Sequence, residues 1–359
     1  MTEPKKRSNL IVVVLVLVVL AVFFGWLGYQ PGTLLNEYAR GLALTLFGVA
    51  LVVFLSERLS RRRESHLLAY LEEQRRTQEE AQLVREEALL KNQLIREISS
   101  GEPGLAARAI QDLDARGWLT DGTLTNSQLA GANLQGARLG WINLSRAFLN
   151  RVNLQEADLS YSNLSAASLA DARLSRANLD LANLTEGNFQ GTDMSLCSMN
   201  ETDLTGANLN GAILSGSSMI EANLSKANGE RATLSGANLE RAKLVESGFA
   251  LANMERANLS GADLSWANLN QAILDKADLT EANLSGANLE DARLHGANLS
   301  GAFLYGTRVS LESLSTARSL ANATMPDGTR YEEWARAQAG EKTAEEEPEL
   351  PADHSTEKE

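Results

Sequence analysis

The residue types that most often carry out chemistry are few and scattered in this chain. It contains one cysteine, Cys197, and three histidines, His66, His295 and His354. A single cysteine excludes an internal disulfide framework, and the three histidines match no spacing of metal ligands. The sequence also contains no phosphate-binding loop, dinucleotide fingerprint, nucleophile elbow or HExxH motif. We therefore expect a protein that is not an enzyme and that uses no metal and no cofactor.

The charge balance gives a second constraint. Among 359 residues there are 33 basic and 46 acidic side chains, which gives a formal net charge of −13. This balance disfavours a nucleic-acid partner, because such binding relies on basic side chains that neutralise phosphates. The 5% aromatic content is low for an enzyme core, although 44% of the residues are hydrophobic. The apolar residues must therefore form a core that is built mainly from aliphatic side chains rather than from aromatic rings.

An internal repeat of five residues dominates the chain. From Leu124 to Leu304, every fifth residue is Leu, Phe or Met at 36 of 37 positions, with Gly229 as the exception. The residue two positions earlier is small, usually Ala, and the residue directly before is often Asn or Asp. A period of five fits neither a helix nor a strand. It fits a coil with four short sides, in which the large and the small residue point inward. Cys197 lies at a small inward position, which favours a buried, inert thiol over a redox role.

This pattern resembles the pentapeptide repeat family, whose motif A(D/N)LXX is matched by Ala132-Asn133-Leu134 and by Ala262-Asp263-Leu264. The resemblance covers about residues 122–314. It implies a right-handed quadrilateral β-helix, a solenoid in which twenty residues form one coil. The residues around 107–122 are similar to the leader of membrane-anchored members, and those from Met325 to Trp334 are similar to the closing cap of the family.

Two apolar segments precede the repeat. Residues 10–27 carry no charge and, as a helix, would be about 27 Å long, close to the thickness of a bilayer core. Residues 41–55 form a second, shorter run, and Gln30-Pro31-Gly32 supplies a turn between them. Basic residues flank both runs, which predicts a two-span hairpin with both termini and the repeat domain on the cytoplasmic side of a bacterial-type inner membrane. A cleaved signal peptide is the disfavoured alternative, because the first run is too long and lacks a small-residue cleavage site.

A helix-favouring segment follows. Residues 56–100 contain no proline or glycine, and apolar residues recur with coiled-coil spacing from Leu67 to Ile98. The seam is interrupted by the polar residues Gln74, Thr77 and Lys91. Two interpretations stay open: a stalk that self-associates into a homo-oligomer, or a single helix that lies on the membrane or on the next domain.

Together these features predict a fold class and a domain order. The fold class is a right-handed quadrilateral β-helix preceded by two transmembrane α-helices and a long helical stalk. The predicted segments are a basic N terminus (1–9), a transmembrane hairpin (10–55), a helical or coiled-coil stalk (56–100), a cap segment (101–121), the repeat β-helix (122–317), a C-terminal cap (318–338) and an acidic disordered tail (339–359).

Counting in steps of twenty brings distant residues together. Trp141, Tyr161 and Leu181 take the same outward position on three successive coils, so we expect an apolar column that either contacts a partner or packs on the preceding cap. Gly229 leaves a gap at an inward position, and Phe249 lies one coil away on the same side. We predict that the ring of Phe249 fills this gap.

These expectations favour a non-enzymatic protein that holds a protein partner, or further copies of itself, near the membrane. The resemblance also implies an alternative, because some pentapeptide repeat proteins mimic DNA and bind type II topoisomerases. Residues 119–318 carry 21 acidic and 14 basic side chains, mixed along the coils, which disfavours a continuous negative stripe. A membrane sensor would need polar residues in the spans, and residues 10–27 offer none that would bind a ligand.

Overall fold

The computed structural model describes residues 4–27 and 36–338, and the chain divides into two compact units, Met1–Ala88 and Leu89–Glu359. The predicted turn at Gln30-Pro31-Gly32 and the predicted acidic tail, residues 339–359, lie outside the described residues.

The first unit is helical. Helix α1 (Pro4–Leu27) contains the first apolar run, and helix α2 (Asn36–Ser99) contains the second apolar run and the predicted stalk in 64 consecutive residues. The segment Glu37–Ser99 is long and apolar enough to cross a membrane, with a mean hydropathy of 2.0 over its most apolar window. The apolar helix Val12–Leu27 is shorter than such a span.

Helices α1 and α2 pack through small side chains. Ala21 and Ala50 are buried, and a Cβ atom on Gly25 would lie 3.9 Å from the Cβ atom of Ala43. Many of the larger apolar side chains of both helices, such as Val22 and Leu44, are exposed. Small residues between helices and large apolar residues on the outside are typical of helix pairs in lipid.

The second unit begins with a helical cap. The end of α2 and helix α3 (Pro103–Ala115) cover the first coil, and Leu94 and Ile98 of α2 join the same hydrophobic core as Leu113 of α3. One face of α3 is buried against the first coil and consists of Ala106, Ala109, Ile110 and Leu113. The last turns of the predicted stalk therefore pack on the cap of their own chain, whereas the seam positions from Leu67 to Ala88 are exposed.

The body of this unit is a four-sided β-helix. Parallel bridges join residues twenty apart, from Gln128 and Phe148 to Asn288 and Arg308. From Leu124 to Leu304 the large residues and the small residues of the pentads are buried, except for the half-buried Ala137 beside the cap, which confirms the predicted inward pattern. The backbone N–H of Leu129 donates to the carbonyl of Phe148 at 2.8 Å, and this pattern repeats along the sides. Each coil is therefore paired to the next through its backbone.

The corners of the β-helix share one backbone conformation. The N–H of each small residue donates to the carbonyl of the preceding large residue, as from Ala132 to Leu129 at 3.1 Å, which closes a four-residue turn. The third residue of the turn has φ between +54° and +72° at all 37 positions from 126 to 306. Glycine occupies 12 of these positions, and no Val, Ile or Thr occupies the other 25. A β-branched side chain is the least compatible with this left-handed conformation.

Two phenylalanines fill the core where a small residue leaves space. A Cβ atom on Gly229 would lie 2.1 Å from Cε1 of Phe249, so the ring occupies the space of the absent side chain. A Cβ atom on Gly187 would lie 2.5 Å from Cε2 of Phe189, two residues along the same pentad. Both rings are completely buried.

The C-terminal end departs from the five-residue register. The predicted repeat β-helix extends to residue 317, but helix α4 (Leu311–Ser315) interrupts the five-residue pattern, and Leu314 is buried on this helix rather than on a bridged side. Pairing then resumes with an offset of 21 residues, between Asn298 and Ser319. The reason is one additional residue in the helical corner.

A hairpin and a helix close this end. Thr324 and Arg330 form an antiparallel bridge, and Met325 donates to the carbonyl of Thr329 at 2.7 Å. The carboxylate of Asp327 accepts hydrogen bonds from the N–H and the hydroxyl of Thr329. Helix α5 (Tyr331–Gln338) follows, and its Trp334 packs against the core.

Candidate functional site

The predicted apolar column lies on one corner of the β-helix near its N-terminal cap. Trp141, Tyr161 and Leu181 each occupy the positive-φ position of their turn, with φ of 64°, 58° and 59°. Their backbone N–H groups donate to the next coil, as from Trp141 to Ser160 at 2.9 Å. We call these three residues the aromatic stripe. Backbone pairing on both sides of the corner fixes the direction in which these side chains leave the surface.

The two rings of the stripe are stacked. Their centroids are 4.3 Å apart and the ring planes differ by 3°. Trp141, Tyr161 and Leu181 are 64%, 45% and 41% exposed, so the cap of the same unit leaves the stripe largely uncovered. Three large apolar groups are thus held side by side on a rigid surface and face solvent. Such surfaces more often contact partners than isolated exposed side chains do.

The same corner becomes polar beyond the stripe. The next residues in the column are Glu201, Glu221 and Arg241, and Nε of Arg241 lies 3.0 Å from Oε1 of Glu221. Glu201 forms no ion pair within residues 4–27 and 36–338. The stripe therefore ends beside a carboxylate that forms no ion pair with the described residues.

A second group of exposed apolar residues, which was not predicted as a site, lies toward the C-terminal end. Trp266 is 69% exposed, and its ring covers Gly286, where a Cβ atom would be 2.7 Å from Cε3. Phe303 and Tyr305 are also exposed. The exposure of Phe303 and Tyr305 could have been predicted from the sequence, because both occupy outward positions of their pentads. No ring stacking joins Trp266 to them within the described residues.

Charged residues on the corners form ion pairs between neighbouring coils. Arg176 and Glu156 approach to 3.8 Å, as do Lys226 and Glu246. All four side chains are more than half exposed, so these pairs contribute little to stability. Their consequence is electrostatic, because positive and negative groups alternate along a corner and interrupt a continuous negative surface.

Cys197 is part of the core. It is 1% exposed, and its Sγ donates to the carbonyl oxygen of Leu174 at 2.9 Å. Burial raises the pKa of this thiol to about 12, so it stays protonated near neutral pH. The hydroxyls of Thr192 and Thr202, in the neighbouring pentads, make equivalent hydrogen bonds to carbonyl groups of the preceding coil. Cys197 therefore has the same packing role as these threonines.

Coils of twenty residues with four bridged sides define the second unit as a β-helical solenoid of five-residue repeats. The family model described as pentapeptide repeats matches eight copies over residues 123–160, 162–200, 197–228, 232–271 and 272–310, which together cover just over half of the chain. The chain belongs to the pentapeptide repeat family.

Several solved structures are similar to this chain. HetL from the cyanobacterium Nostoc sp. strain PCC 7120, a pentapeptide repeat protein involved in heterocyst differentiation regulation, is 31% identical, with 62% of this chain and 98% of HetL covered and a TM-score of 0.46. A trypsin-treated variant of QnrB1, a plasmid-mediated fluoroquinolone resistance protein, is 20% identical, with 49% and 89% covered and a TM-score of 0.31. Rfr23 from the cyanobacterium Cyanothece 51142 is 31% identical, with 28% and 62% covered and a TM-score of 0.19. No curated protein matches the chain.

Proposed function

We propose that this chain is a membrane-anchored interaction protein without enzymatic activity, which binds a protein partner at the cytoplasmic face of the inner membrane through the aromatic stripe. The observation that carries the proposal is the stack of Trp141 on Tyr161, 4.3 Å apart and exposed, continued by Leu181 on the next coil. Rings that are already ordered lose little conformational entropy when a partner covers them.

The stripe favours a partner of stated chemistry. An apolar side chain that packs on Trp141 and Tyr161 would bury aromatic surface, which is the kind of contact that dominates many protein interfaces. A Lys or Arg of the partner beside this contact would meet the carboxylate of Glu201. We therefore expect a partner surface that combines an apolar anchor with an adjacent basic residue.

Helices α1 and α2 would supply the anchor as a two-span hairpin. The apolar composition of α2 supports this, as does the packing of Ala21 and Gly25 against the small residues of α2. The arginines that follow the second apolar run favour a cytoplasmic location for the rest of the chain. Exposed seam residues such as Leu67 and Val84 leave a homo-oligomer through α2 as an additional expectation.

Proximity labelling in cells tests the docking site. The label is fused after Glu359, and the wild type is compared with the double variant Trp141→Ser/Tyr161→Ser. Trp266→Ser is the matched control, because it removes an exposed ring from an equivalent corner position. We expect at least one partner to be lost in the double variant and kept in the control. An identical set of labelled proteins in all three strains would contradict the proposal.

Membrane anchoring requires a separate test. We expect the full chain to stay in the membrane pellet after extraction at alkaline pH, and a variant that lacks residues 1–55 to be released. Reporter fusions after Glu359 should be active only on the cytoplasmic side. Release of the full chain would contradict the anchor.

In the labelling experiment, type II topoisomerase subunits that are lost in the double variant and kept in the control would support the DNA-mimic alternative in place of the scaffold.

A further inference from the structure

A groove in the first unit combines an apolar wall with basic side chains. Its volume is about 470 Å³, and it lies between α1 and α2 at the C-terminal end of the second apolar run. Val14 and Leu15 of α1 and Phe54 of α2 form the apolar part. One turn further along α2, the groove is lined by charged residues: Glu57, Arg58 and Arg61.

The two arginines that line this groove differ in their ion pairing. Arg61 donates from Nη2 to Oε1 of Glu57 at 2.6 Å, and its side chain is still 58% exposed. Arg58 makes no ion pair or side-chain hydrogen bond within residues 4–27 and 36–338. Because Glu57 is already paired with Arg61, the guanidinium donors of Arg58 are available to an anion. Two more arginines, Arg62 and Arg63, follow directly.

We propose that this groove binds an anionic phospholipid, with its phosphate on Arg58 and Arg61 and the beginning of an acyl chain against Val14, Leu15 and Phe54. The guanidinium group matches phosphate oxygens with paired N–H donors. The apolar wall distinguishes a lipid from a free phosphate, which would leave this surface in contact with water. Basic pockets beside membrane helices on the cytoplasmic side are suited to acidic headgroups. The inference rests on the proposed membrane anchor.

The test uses the purified full-length chain in a mild detergent and native mass spectrometry to count bound lipid. The probes are dioleoyl-phosphatidylglycerol, dioleoyl-phosphatidylcholine and inorganic phosphate. We expect phosphatidylglycerol to bind at least tenfold more tightly than phosphatidylcholine, and the variant Arg58→Gln/Arg61→Gln to lose about tenfold of that affinity. The control variant Arg75→Gln/Arg76→Gln removes the same charge from an exposed part of α2 and should bind as the wild type does.

A second variant separates lipid from phosphate. Phe54→Ser leaves every charge in place, so we expect it to weaken phosphatidylglycerol binding while any binding of inorganic phosphate is unchanged. Equal binding of the two lipids, an equal loss in the Arg75/Arg76 control, or full competition by inorganic phosphate would overturn the inference. Alkaline extraction of the same variants reports on the anchor alone. A chain that stays in the membrane but shows no headgroup preference would refute the lipid site and leave the anchor intact.

Discussion

The packing of Phe249 over Gly229 gives a stringent test of the β-helix core. Normal carbon contacts are about 3.5–4.0 Å long, whereas a Cβ atom on Gly229 would lie 2.1, 2.4 and 2.8 Å from three atoms of the Phe249 ring. Even Gly229→Ala therefore requires the ring or the backbone to move by more than 1 Å. Phe249 is fully buried between paired coils, so neither can move without disturbing its neighbours.

We expect Gly229→Leu with Phe249 retained to destabilise the β-helix by about 3 kcal/mol, the upper part of the usual range for overpacking. For a domain of this size, that loss corresponds to a decrease of roughly 6–12 °C in Tm. Phe249→Leu alone removes buried ring atoms and should cost about 1–2 kcal/mol. The double variant Gly229→Leu/Phe249→Leu restores the leucine found at most other inward positions, and it should therefore be close to the wild type in stability.

The assay is urea unfolding of the full chain, followed by tryptophan fluorescence, because four of the five tryptophans lie in the second unit. The wild type and the three variants form a double-mutant cycle, and a favourable coupling of about 3 kcal/mol or more between the two leucines is expected. An unchanged or raised midpoint for Gly229→Leu would refute the stacking of these residues. Additive losses in the double variant would refute it as well.

Three further predictions concern the same domain. Ser162→Ala should raise the free energy of unfolding by about 1 kcal/mol, because its buried hydroxyl has no hydrogen-bond partner among the described residues. Thr202→Val should not raise it, because this change removes a hydrogen bond. Urea midpoints of both variants check this. Gly236→Ala should lower the free energy of unfolding by about 1–2 kcal/mol, because φ is +66° at this corner although the space for a side chain is open. Gly248→Ala, at a bridged position without positive φ, should be neutral or stabilising. Equal melting temperatures of the two variants would contradict the role assigned to the corners. The pKa of Cys197 is raised from 9.0 to about 12, so the thiol ionises at lower pH in the unfolded chain than in the folded one. The stability that the buried thiol contributes is therefore complete below pH 9 and is lost as pH rises toward 12. Urea midpoints between pH 8 and pH 10 should fall more steeply for the wild type than for Cys197→Ala.

Much of the β-helix could be predicted from the sequence, because its interior admits only one large and one small residue per side. The corners were not predicted, although the sequence contains their signal: glycine is frequent and β-branched residues are absent two positions after each large residue. The helical corner at α4 could not be predicted, since Leu314 keeps the spacing of five and is buried for a different reason. The second apolar run and the stalk were predicted as separate segments, whereas α2 joins them in one helix that ends at Ser99, one residue before the predicted end of the stalk.

The aromatic stripe was predicted from the positions of its residues in the repeat and not from a motif of catalytic or binding residues. Counting by twenties places Trp141 above Tyr161, but the stacking of their rings depends on torsion angles that the sequence does not specify. Gly187 was not recognised as the complement of Phe189, because the two lie in the same pentad, and a count of twenty compares only equivalent positions on successive coils.

The architecture separates the residues that determine stability from those available for recognition. Inward residues such as Gly229 and Phe249 are coupled to the neighbouring coils, so a change at one position must be compensated at another. A corner side chain such as Trp141 extends outward from a backbone that is already fixed by hydrogen bonds between coils, and it contributes nothing to the interior. Substitution at a corner can therefore change what the surface binds while the core is unaltered. This is why the loss of a partner in Trp141→Ser/Tyr161→Ser, with an unchanged urea midpoint, would identify a docking surface, whereas the same loss with a lower midpoint would identify a packing defect.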